Sequence, residues 1–247
     1  MIYVFCQNHG IAIGSYLRSS IQAPDFAVEI VEILIGQHNA GVAGAKNLIA
    51  SIAAPDSKNA NDERIFYNHL TEGFGVWFAH KNLGASIRVI EEASNPVRSP
   101  HARNPSKSCD FSATLSGALH FFEVKDFSID QGRAYASTGM VMFTPATNQE
   151  KRKWIEKKIG EALNKGANYM IARVSTWTPR GRAVAEDKII KEVLFDYHDV
   201  SQNEAEIVVR FAVPDWFKGL YLVKRQGHVF VRIKEAAKHL PHTTAPL

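Results

Sequence analysis

Residues 108–126, Ser-Cys-Asp-Phe-Ser-Ala-Thr-Leu-Ser-Gly-Ala-Leu-His-Phe-Phe-Glu-Val-Lys-Asp, constrain the fold more than any other stretch of the chain. A short strand near Phe111–Leu115, a turn at Ser116-Gly117 and an apolar strand over Ala118–Lys125 spell a β-hairpin. A glycine turn between alternating and aromatic arms is the signal for that motif. Asp110 opens the first arm, and Glu123 and Lys125 end the second. Residues two apart on a strand share a face, so Glu123 and Lys125 project together while Val124 turns the other way. The hairpin returns Asp110 to their side. Two carboxylates and an ammonium at a strand end suit a divalent cation with a positive neighbour for its bound water.

An acidic residue, one spacer and a lysine also occur at Asp56-Ser57-Lys58, Glu156-Lys157-Lys158 and Glu186-Asp187-Lys188. Only the Glu123 copy lies in an aromatic strand with an aspartate one hairpin upstream. Asp110, twelve intervening residues and Glu123-Val124-Lys125 resemble the motif of the PD-(D/E)XK nucleases. Cys109 stands where that motif names a proline, and the resemblance covers residues 62–175. It implies an α/β fold, a restriction-endonuclease-like core with a mixed central β-sheet flanked by helices. It further implies a magnesium site (Mn²⁺ substituting) held by Asp110, Glu123 and the carbonyl of Val124, with Lys125 orienting the attacking water. Glu72, on the helix before the first core strand, matches the place of a further metal-site glutamate, with Glu63 in reserve. The implied activity is hydrolysis of DNA phosphodiester bonds by a restriction or defence endonuclease. The implied partner is double-stranded DNA, and by analogy the enzyme is a homodimer. A strand ending in a solvated ion pair is the plain structural alternative.

Composition narrows the class further. The chain has 247 residues, enough for one large domain or a core with a smaller appendage. Its 45% hydrophobic and 22% charged residues are ordinary for a globular protein and unlike a disordered one. A formal charge of +4 favours a polyanionic partner without requiring one. Cys6 and Cys109 are too few for a disulfide framework or a zinc site and point to a reducing, cytoplasmic setting. The start lacks a basic leader region, and no apolar run reaches membrane-spanning length.

Along the chain, residues 2–6 and Phe26–Ile35 read as buried strands, Ile11–Ser19 as a short helix or loop, and Ala40–Ala53 as a small-residue helix. Together they suggest a small α/β unit over residues 1–60. Gly41-Val42-Ala43-Gly44 lacks the lysine and spacing of a phosphate loop. The polar run Pro55–Asn61 marks a boundary before a core over 61–180. That core opens with a helix over Asp62–Asn82, whose apolar face carries Ile65, Phe66, His69, Leu70, Gly73, Val76 and Trp77, and a strand over Ser86–Ile90. After the hairpin come a loop with a short apolar strand in 127–147, a helix over Asn148–Lys165 and a strand over Ala167–Val174.

Two loops are candidates for nucleic-acid contact. Glu91–Lys107 is stiffened by Pro96, Pro100 and Pro105 and carries Arg98, Arg103 and Lys107 straight into Asp110. Trp177-Thr178-Pro179-Arg180-Gly181-Arg182 offers an aromatic ring and two arginines, Trp177 with Arg180 and Arg182. Residues 181–247 form a C-terminal extension with a short helix at Glu186–Glu192 and strands at Ala205–Val213, Gly219–Lys224 and Val229–Lys234. These strands extend the sheet or form a recognition hairpin. A non-catalytic nucleic-acid-binding or interaction protein with the same fold is the second functional reading, indifferent to metal and to loss of Lys125.

Overall fold

A computed structural model describes residues 1–56, 61–128, 134–137, 140–143, 148–175, 204–223 and 227–235. Five helices come first: α1 (Ile2–Asn8), α2 (Ser15–Gln22), α3 (Phe26–Asn39), α4 (Ala45–Ala53) and α5 (Asp62–Asn82). The two expected N-terminal strands are therefore helices, and the described part of residues 1–60 is helical rather than α/β. Asp25 explains α3: its Oδ1 accepts from the Ala27 N–H at 2.8 Å and its Oδ2 accepts from Ser20 Oγ at 3.0 Å. That is an N-cap, which satisfies a backbone donor the helix cannot satisfy itself. The apolar run then continues through Gly36 to Asn39, 14 residues in all, longer than an ordinary strand. Its buried residues Ile30, Val31, Leu34 and Ile35 recur at helical spacing.

The strands are β1 (Ser86–Ile90), β2 (Phe111–Leu115), β3 (Ala118–Ser128), β4 (Ala134–Ser137), β5 (Met140–Phe143), β6 (Tyr169–Ser175), β7 (Glu204–Val209), β8 (Gly219–Val223) and β9 (His228–Glu235), with α6 (Asn148–Lys165) before β6. Seven of them form one mixed sheet in the order β1-β2-β3-β6-β8-β9-β7, and β4 and β5 make a separate antiparallel pair. The hairpin pairs Phe111 with Phe122 and Leu115 with Ala118. Ser116 (φ 51°) and Gly117 (φ 82°) both have positive φ, as a tight two-residue turn between twisted strands requires. Beyond the hairpin, α6 carries the chain back so that β6 lies parallel to β3, Glu123 beside Met170 and Lys125 beside Ala172. The C-terminal strands extend the same sheet.

The sheet separates two apolar layers. Phe111, Ala113, Phe122, Val124 and Ile171 pack with the first five helices, on residues such as Leu34, Ile52, Phe74 and Phe78. Met170, Ala172, Leu220 and Leu222 pack on the other side with Ile155, Ile159, Ala162 and Leu163 of α6. Two glycines let α5 lie close to both neighbours. A side chain at Gly73 would meet Ile30 Cγ2 at 2.8 Å, and one at Gly75 would meet Val124 Cγ2 at 2.3 Å. Among the described residues no helix is long and apolar enough to cross a membrane.

Candidate active site

The site follows from strand alternation. Phe122 and Val124 face the first five helices, so Glu123 and Lys125 between and beyond them face α6. Phe111 also faces the five helices, so Asp110 before it turns toward α6. The ladder extends one residue past β2 to hold it there: the Asp110 N–H donates to Phe122 O at 3.0 Å, and the Glu91 N–H donates to Asp110 O at 2.8 Å. Asp110 Oδ2 then accepts from the Val124 N–H at 2.6 Å. A residue in an extended strand directs its N–H and C=O to the same edge, so the Val124 carbonyl lies on the β2 edge of β3.

The sequence-derived trio is thus brought together, and a fourth group joins it. Glu123 is 0% exposed. Lys125 Nζ donates to its Oε1. Lys165 Nζ, from the last turn of α6, donates to both Oε1 and Oε2 at 2.7 Å and lies 3.7 Å from Asp110 Oδ1. Sequence reasoning missed Lys165 because it sees only a basic residue among several on α6. Its place directly before the helix-ending Gly166 marks it as the last helical residue, but only the pairing of β6 with β3 brings it to the site.

Gly166 sets where Lys165 starts. It has φ 76°, and its N–H donates to Leu163 O at 3.0 Å while the Ala167 N–H donates to Ala162 O at 3.0 Å. These bonds close the helix with a left-handed glycine. A Cβ there would lie 2.5 Å from the Ala102 N, so the basic loop can press against the helix end only because the residue is glycine. The loop is also tied by the Arg103 and Asn104 N–H groups, which donate to Asn164 O at 3.1 and 3.3 Å, and by the Cys109 N–H, which donates to Val97 O at 2.9 Å. Arg98, Arg103 and Lys107 are exposed on this loop, whose anchors Asn164 and Cys109 adjoin Lys165 and Asp110. Trp177, Arg180 and Arg182 lie outside the described residues.

Glu72 is not brought to the cluster. It sits half-exposed on α5, on the other side of the sheet, and its Oε2 lies 3.4 Å from His69 Nδ1. No hydrogen bond or ion pair joins it to Asp110, Glu123, Lys125 or Lys165. Its electrostatic effect is on His69, whose pKa is raised by this contact.

The electrostatics of the cluster are those of two acids that share too little solvent. Burial first, and the Glu123 carboxylate second, push the Asp110 carboxyl up to about 7, against the opposing pull of Lys165, Lys125 and the Val124 N–H. Burial lowers the Lys165 pKa, but Asp110 and Glu123 more than offset it and the net shift is upward. Cys109 is buried beside the same carboxylates, which with burial push its thiol up to about 12 and leave it a poor nucleophile. Asp110, Glu123 and the Val124 carbonyl are hard oxygen donors, as a magnesium ion prefers. Mg²⁺ typically uses one or two carboxylates and keeps several waters, so the donor set fits. No group of three His, Cys, Asp or Glu side chains suited to a metal occurs among the described residues.

No protein-family model, curated protein or solved structure matches the chain. The functional reading rests on the chemistry of this cluster.

Proposed function

We propose that the chain is a metal-dependent endonuclease with a restriction-endonuclease-like core, hydrolysing phosphodiester bonds of DNA. One observation supports the reading: Asp110 and Glu123 are gathered on one sheet face at the end of a hairpin, with Lys125 on Glu123, the Val124 N–H on Asp110 and Lys165 between the two acids. Asp110, Glu123 and the Val124 carbonyl would hold the ion. Bound there, Mg²⁺ supplies a water of lowered pKa and countercharge for the phosphorane-like transition state. Lys125 donates to the attacking water and stabilises it as hydroxide. In-line attack on phosphorus breaks the bond to the 3′-oxygen, which takes a proton and leaves a 5′-phosphate on the other fragment. Arg98, Arg103 and Lys107 bind backbone phosphates, which fixes register without reading sequence. The partner in this reading is double-stranded DNA cut by a homodimer, in a restriction or defence role.

One observation favours the second reading, a non-catalytic binding protein. Both Glu123 oxygens already accept from ammonium groups, so Glu123 has its partners without an ion. Plasmid cleavage with Mg²⁺, Mn²⁺ or EDTA separates the two. The nuclease reading expects metal-dependent cutting that falls by about 10²-fold or more in Lys125→Ala and Asp110→Ala. DNA binding without cutting, unchanged in both variants, would establish the second reading. Cutting that survives both substitutions would show that other residues do the chemistry.

A further inference from the structure

Lys125 and Lys165 do different things to the same carboxylate. Lys125 comes from β3 itself, two residues from Glu123, and meets one of its oxygens. Lys165 comes from another element, meets both Glu123 oxygens at 2.7 Å and also faces Asp110 Oδ1 at 3.7 Å. An ammonium equidistant from both oxygens of one carboxylate and turned to a second one stands where a cation shared by the two acids would stand.

We propose that Lys165 is a built-in competitor for the divalent ion. In the metal-free protein its ammonium holds the seat between Asp110 and Glu123, and an ion enters only as Lys165 withdraws. The inference rests on the metal-site reading above. Mg²⁺ takes oxygen ligands at about 2.0–2.1 Å, so an ion on Glu123 and Asp110 would meet an unmoved Lys165 ammonium in direct like-charge contact. The two cations exclude one another. Withdrawal is open to Lys165, which is 23% exposed and carries its charge on a flexible four-carbon stem. Glu123 cannot move to meet the ion elsewhere, because it is fully buried in the middle of the sheet. The lysine pairs with both acids while no ion is present, and it sets a threshold of ion concentration below which the site stays closed. Freed by the ion, its ammonium is left at the mouth of the site, beside the anchored basic loop, where a phosphate would pair with it.

The test uses the full chain without DNA. Binding of Mn²⁺, followed by loss of the free-ion paramagnetic resonance signal, is compared for wild type, Lys165→Met and Lys165→Arg. Lys165→Met keeps the stem and removes the charge, so it should bind Mn²⁺ about tenfold more tightly, within the 5- to 150-fold range usual for coupled sites. Lys165→Arg should bind no more tightly than wild type. A second measurement needs no variant: labelling of wild-type Lys165 by an amine-reactive reagent, read by mass spectrometry, should rise several-fold when Mg²⁺ is added. Mn²⁺ binding to wild type with no gain in Lys165→Met, and labelling that is unchanged or falls with Mg²⁺, would overturn this proposal and leave the metal site standing. No Mn²⁺ binding to either protein would overturn both.

Discussion

Asp110 is held in surroundings that oppose its own charge. Burial and Glu123 raise its pKa to about 7, from about 3.9 in an unfolded chain. The folded state therefore binds this proton more tightly than the unfolded state. The stability it confers is fully present below about pH 4 and is lost as pH rises through about 7. Asp110→Asn keeps an oxygen to accept from the Val124 N–H and removes the charge. In EDTA at pH 8 it should be more stable than wild type by roughly 1–3 kcal/mol, with the difference fading toward pH 4. Urea denaturation midpoints at several pH values check this. A difference that is constant with pH, or a variant less stable at pH 8, would show that the lysines fully neutralise Asp110. Under the proposed metal-site reading the same residue is destabilising alone and would be useful with an ion, the stability cost expected of a binding site.

At the scale of elements, the packing of α5 on β3 decides where Val124 sits, and so where its N–H meets Asp110. Gly75 makes that packing possible. Alanine is the better helix former by about 1 kcal/mol, yet its methyl at this position would lie 2.3 Å from Val124 Cγ2 and 3.0 Å from Cγ1. Valine has little rotamer freedom with which to yield, so Gly75→Ala should destabilise by roughly 1–3 kcal/mol through overpacking. In a Val124→Ala background the same change should be neutral or stabilising. A thermal or urea double-mutant cycle measures the coupling, expected at about 1–2 kcal/mol; additivity would mean that the helix simply shifts aside.

How far such elements can be read from sequence depends on whether their signals are local. The α5 helix, β1, β2 and α6 have the bounds that periodicity, caps and turn residues mark out, Asp62–Asn82, Ser86–Ile90, Phe111–Leu115 and Asn148–Lys165. Residues 2–6 read as a strand because so short an apolar run carries no period; in 26–35 the deciding signals were the Asp25 cap, the helical spacing of Ile30, Val31, Leu34 and Ile35, and the length of the run. Asp110, Glu123 and Lys125 are legible because one hairpin relates all three. Glu72 was placed by resemblance rather than by any local relation, and the helix that carries it packs on the opposite sheet face. Lys165 reaches the site only through the parallel pairing of β6 with β3, and no local pattern encodes that pairing.

For the molecule as a whole, the N-terminal helices bear on the site through a shared core. Ile30, Leu34 and Ile52 pack on α5 around Gly73, and α5 packs on Val124 through Gly75. Leu17, Ile49, Phe66, Phe78, Phe111 and Phe122 belong to the same continuous cluster. A polar run at residues 55–61 reads as a domain boundary in the sequence, but apolar contacts pass across it. Burial of this kind contributes roughly 1.5–3 kcal/mol for each large side chain, which couples the helices to the sheet. The helices should therefore unfold together with the sheet. Native-state hydrogen exchange tests this: the slowest amides of α3, around Val31–Leu34, and those of β3, around Phe122–Val124, should open with one common free energy and one denaturant dependence. A lower-energy opening confined to the first four helices, with β3 still protected, would mean that they form a separable unit. Under a single global opening, a large-to-small change at Leu34 or Ile52 would weaken the ion binding proposed at Asp110 and Glu123 only by lowering the population of the whole folded state, never by loosening the site alone.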